Sequence, residues 1–127
     1  MIQSPYQKYQ QAQTQTASKP KLLIMLYDGA IRFVKAGMEG IEEKNYEKAN
    51  NNLCKAQAII HELISALNFD FPIAQDLLVI YEYVLHCLIE ANIKKDMKLT
   101  QEVLEHLSEL RESWLQVSKL PEAVTGT

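Results

Sequence analysis

From residue 18 to residue 120, apolar side chains recur at intervals of three and four, the period of a helix with one buried face. No stretch shows the strict two-residue alternation of a half-buried strand, so the pattern predicts four amphipathic helices. The first begins at Ser18, a suitable N-cap, tolerates Pro20 in its opening turn and runs to about Glu43. A short break at Asn45 leads to the second, whose apolar or small positions Tyr46, Ala49, Leu53, Ala56, Ile60, Leu63 and Leu67 form a seam. Residues Asn68 to Pro72 end it, because a residue before proline is pushed away from helical geometry. The third helix runs from Ile73 to Ile93 with Gln75, Asp76, Glu82, His86 and Glu90 along one side; most of its circumference is apolar, which predicts the most buried element. Asp96 then caps a fourth helix with Val103, Leu107, Leu110, Trp114 and Val117 inward. Helices of about 20 residues with short connections favour antiparallel neighbours. The expected fold is all-α: an antiparallel up-down-up-down four-helix bundle over residues 18–120, with a flexible N-terminal arm at 1–17 and a frayed tail at 121–127.

Two helices carry more apolar surface than this fold requires. On a helical wheel Asp28, Arg32, Lys35, Glu39 and Glu42 fall within about 100°, leaving about 260° apolar or small, whereas a bundle helix needs a stripe of a little over ~100°. Leu22, Leu23, Leu26 and Phe33 can fill the core-facing centre of that arc. Ile24, Tyr27, Ile31 and Met38 then lie on one flank, where they either meet the neighbouring helices or form a groove for a partner. Val79 and Tyr83 raise the same question, since they fall among Asp76, His86 and Glu90 on the polar side of the third helix. Gly29, Ala36 and Gly40 line a further edge of the first helix, where another backbone can come close; packing within the bundle is the simpler reading.

Composition narrows the function by exclusion. Apolar residues make up 47% and charged residues 23% of the 127, enough to build one core. Lys and Arg number 13 against 16 Asp and Glu, a net charge of -3 with no basic run, which disfavours nucleic acid as a partner. Cys54 and Cys87 fall within two different helical patterns and read as buried thiols in a reducing cytoplasm. Met1 to Thr16 has no apolar core of a secretory signal, and the apolar run Leu77 to Tyr81 is far below the ~20 residues that span a bilayer, so membrane insertion is not expected. Bundles often hold di-iron or haem, yet the residues three before His61, His86 and His106 are Ala58, Tyr83 and Val103, so no Glu-x-x-His pair exists. There is no C-x-x-C-H, H-E-x-x-H, glycine-rich phosphate loop or G-x-S-x-G elbow either. Neither a cofactor, a metal nor an enzymatic activity is expected.

The segment from Thr16 to Phe33, TASKPKLLIMLYDGAIRF, resembles the signature of the FliS family, the flagellin export chaperones. Tyr6 and Tyr9 upstream, Lys55-Ala56-Gln57-Ala58-Ile59-Ile60, and Leu88-Ile89-Glu90-Ala91-Asn92 followed by Asp96 extend that resemblance over nearly the whole chain. It implies a cytoplasmic helical bundle that binds the disordered C-terminal segment of flagellin, prevents premature polymerisation and delivers the cargo to a component of the flagellar export gate. It also implies that the N-terminal arm bearing Tyr6 and Tyr9 lies over part of the cargo surface. Ordering about 20 residues of cargo costs ~20 to 40 kcal/mol of backbone entropy, while one buried Leu or Ile returns ~1.5 to 3 kcal/mol. The interface therefore has to be long, with the cargo forming its own helical hydrogen bonds against a groove. Tyr6, Tyr9, Ile24, Tyr27, Ile31, Val79 and Tyr83 are the expected partner-binding residues. The alternative is a structural or regulatory helical module that self-associates, as a homodimer, through the same apolar excess.

Overall fold

The computed structural model describes residues 19–120. They form α1 (Lys19–Glu42), α2 (Tyr46–Ser65), α3 (Ile73–Lys94) and α4 (Met97–Ser118), and no strand occurs among the described residues. The start expected at Ser18 lies outside them. Local chemistry sets each remaining boundary. The Asn45 side chain accepts from the Lys48 amide at 3.1 Å and opens α2. Asp96 accepts from the amides of Lys98 and Leu99 at 2.9 and 3.1 Å, satisfying two of the donors that a helix start leaves without intrahelical partners. Between α1 and α2 the chain reverses through Lys44 at φ 59°, with the Asn45 amide donating to the Gly40 carbonyl at 2.8 Å. Lys95 closes α3 in the same left-handed conformation at φ 50°, and its ammonium reaches the Asn92 carboxamide oxygen at 3.0 Å.

The helices follow one another around a square: α1 packs on α2 and α4, and α3 completes the ring against α2 and α4. Leu26, Tyr27, Ala30 and Val34 of α1 meet Leu53, Ala56 and Ile60 of α2, Tyr81, Val84 and Leu88 of α3, and Val103 and Leu107 of α4 in one continuous core. Two glycines let α1 and α2 approach closely. A methyl group on Gly37 would stand 2.6 Å from Leu53, and one on Gly40 would stand 2.6 Å from the Ala49 backbone nitrogen. The edge on which Gly40 lies is therefore closed within the bundle.

Three expectations are corrected. The most buried helix is α1, with ten buried residues against seven in α3, because its small residues let neighbours cover most of its circumference. Cys54 is exposed, beside Asn50 and Asn92, while Cys87 is buried as expected. Tyr46 is exposed as well, since the first position of α2 lies beyond the packed seam.

Candidate partner-binding surface

A cluster of polar aromatic groups fixes the interior wall of the candidate surface. The Tyr27 hydroxyl on α1 shares a short hydrogen bond with that of Tyr81 on α3, and the Trp114 indole N–H on α4 donates to the Tyr27 oxygen at 3.1 Å. Burial pushes both phenols above their ordinary pKa, so both remain neutral hydrogen-bonding groups at every physiological pH. One step outward, Arg111 of α4 donates to the Asp28 carboxylate of α1. The D28 position in the polar strip of α1 thus serves as a lateral tie between helices.

This arrangement divides the expected contact set into covered and exposed residues. Tyr27 is completely buried and its hydroxyl is engaged twice, so it cannot present its side chain to a partner. Ile24 is buried too, and Ile31 and Met38 pack against the core from partly covered positions. Half of the α1 flank proposed from the wheel, Ile24 and Tyr27, is covered by α1's own neighbours, while Ile31 and Met38 keep part of their surface open. Tyr6 and Tyr9 lie outside the described residues.

Val79 and Tyr83 are placed differently: they are 64% and 47% exposed on the outer side of α3. Together with Ile80, His106, Glu109, Leu110 and Ser113 they line a groove of about 550 Å³ along the α3/α4 seam. The Tyr83 ring meets the His106 ring edge-on at 5.6 Å between centroids, and its hydroxyl donates to Glu102 at 3.2 Å. The buried Cys87 thiol donates to the same carboxylate at 3.5 Å. Cys87 first, and then the Glu102 charge, hold the proton on the Tyr83 phenol, whose pKa is pushed up to about 12. The tyrosine is accordingly a fixed, neutral, half-exposed aromatic wall.

Further exposed apolar residues fall where the sequence reading placed none. Phe69, Phe71 and Ile73 stand out at the α2–α3 connection, and Ile80, Ile89 and Ile93 along α3. A narrower apolar pocket of about 170 Å³ opens beside the connection, floored by Leu77, Tyr81 and Trp114 and walled by Leu23, Leu67 and Phe71. Large exposed apolar patches on a protein surface commonly mark interaction sites. The signal available in the sequence was the high apolar content of the third helix, which reads equally as deep burial or as a face awaiting cover. Among the described residues no group of three or more His, Cys, Asp or Glu side chains could hold a metal ion, and no described helix is long and apolar enough to cross a membrane.

The class defined by these features is a four-helix bundle with a closed core and an uncovered apolar flank on its third helix. The family model described as "Flagellar protein FliS" matches residues 1–121. The flagellar secretion chaperone FliS of Bacillus subtilis is 37% identical over 115 residues, covering 91% of this chain and 86% of the relative. The proteins of the same name from Vibrio cholerae and Salmonella typhimurium are each 30% identical, over 108 and 106 residues, covering 84% and 81% of this chain and 79% and 78% of their own. The chain belongs to the FliS family.

Proposed function

We propose that the chain is a cytoplasmic flagellar secretion chaperone that binds the disordered C-terminal segment of flagellin, keeps it from polymerising early and hands it to the type III export apparatus. The family supports the chaperone role, in which no bond is made or broken. The observation that carries the binding reading is the apolar track along α3, where Ile73, Val79, Tyr83 and Ile93 are each about half or more exposed in a chain whose core is otherwise closed. An amphipathic segment that becomes helical on docking satisfies its own backbone and leaves its apolar side chains free to fill such a track. Tyr6 and Tyr9 are proposed as further cargo contacts; Val79 and Tyr83 are proposed as the contacts on α3, joined by Ile80.

Calorimetry with a peptide from the C-terminus of flagellin tests this reading. Binding at tens of micromolar or tighter is expected, with a negative heat-capacity change from apolar burial. No heat and no complex at that concentration would sink it. Sedimentation distinguishes the alternative, because a tight homodimer that ignores the peptide assigns the α3 track to self-association.

A further inference from the structure

Resting on the cargo reading above, we infer that the segment seated in the α3/α4 seam is apolar at one end and carries Lys or Arg at the other, its basic end lying toward the C-terminus of α3. The seam changes character along its length. Beside Val79, Ile80, Tyr83 and Leu110 it is greasy. Beyond the Tyr83–Glu102 hydrogen bond it continues into a second groove, lined by Glu90, Asp96, Glu102 and Glu105 against Lys94 and Lys98. Four carboxylates thus face two ammonium groups in this second groove, whereas the apolar end has one carboxylate, Glu109, with His106 on the same wall.

Internal pairing does not cancel this charge. Among the described residues neither Lys94 nor Lys98 forms an ion pair, Glu105 has none either, and Glu90 meets only His86, at 3.9 Å. The Asp96 carboxylate is spent on the α4 cap, and Glu102 on the Tyr83 and Cys87 protons. Each of those contacts leaves the negative charge in place. A bound helix with the opposite gradient gains attraction at one end and apolar burial at the other; an acidic or inverted one meets repulsion. Charge therefore fixes the direction of docking, while apolar area supplies most of the affinity.

The test is a double-mutant cycle read by calorimetry. One axis is the E90Q/E105Q variant, with helicity checked by circular dichroism; the other is the flagellin C-terminal peptide with its Lys and Arg residues replaced by Gln. The expected result is a loss of about three- to tenfold in affinity for the natural peptide at low salt, shrinking as the Debye length falls from ~10 Å at ~0.1 M toward ~3 Å at ~1 M. The neutralised peptide should bind both proteins alike. If E90Q/E105Q binds the natural peptide as tightly as the parent at every salt concentration, while V79D loses it, the charge inference is overturned and the cargo reading stands. If the parent chain binds neither peptide, the cargo reading itself fails, and the charge inference with it.

Discussion

A phenol survives in a protein core only where its hydroxyl finds partners, and Tyr27 finds two in Tyr81 and Trp114. Replacing Tyr27 with Phe leaves the indole N–H and the Tyr81 hydroxyl without that oxygen, so a loss of ~1 to 3 kcal/mol is expected in urea denaturation. Because Trp114 is the sole tryptophan, its emission should shift in the same variant. The phenol pKa adds a pH signature. Folding holds the Tyr27 and Tyr81 protons more tightly than the unfolded chain does, so the unfolded state binds fewer protons once pH passes the ordinary tyrosine value of ~10. Stability is then expected to be level with respect to these groups below that pH and to fall above it, less steeply in Tyr27→Phe; an identical alkaline slope in the two proteins would contradict the linkage. The helical wheel could not have identified this role. It orders residues by angle around one helix, whereas the fate of Tyr27 depends on α3 and α4 supplying partners across the bundle.

At the scale of the helix, the corner between α1 and α2 shows how small residues decide which element becomes central. Gly37 and Gly40 permit contact between α1 and α2 at a distance that a methyl group would occupy. Since the obstruction at Gly40 is the Ala49 backbone, which cannot rotate away, Gly40→Ala should destabilise by ~1 to 3 kcal/mol despite alanine's better helix propensity. At the adjacent turn the sign reverses. Lys44 holds a left-handed conformation that costs an L-residue ~1 to 2 kcal/mol, so Lys44→Gly should raise the thermal midpoint by a few degrees. The four helices, the Asn45 break and the Asp96 cap were all legible, because they follow from period, breakers and local hydrogen bonds. The position of each helix in the square was not. Apolar content made the third helix look innermost, yet α1 holds that place through Gly29, Ala30, Gly37 and Gly40, and α3 is left with an uncovered side.

For the molecule as a whole, a closed core and an open flank make stability and binding separable. Leu107 is fully enclosed, so Leu107→Ala should cost ~2 to 5 kcal/mol whether or not cargo is present. Val79 faces outward, so V79D should change stability by no more than ~0.5 kcal/mol, while Ile80 is only 38% exposed and I80D should cost ~1 kcal/mol more. Cargo links the two properties. A ligand that binds only the folded state at ~100 times its Kd adds ~2.7 kcal/mol, so a saturating flagellin C-terminal peptide should lift the thermal midpoint of the parent chain by several degrees. In V79D/I80D the midpoint should start a few degrees below the parent's and the rise should vanish. In Leu107→Ala the midpoint should start low and still rise. The excess of apolar surface could be read from sequence as a quantity, but its address on α3 required knowing which faces the other helices had already taken. A peptide that lifted V79D/I80D as much as the parent would show that the cargo uses some face other than the α3/α4 seam.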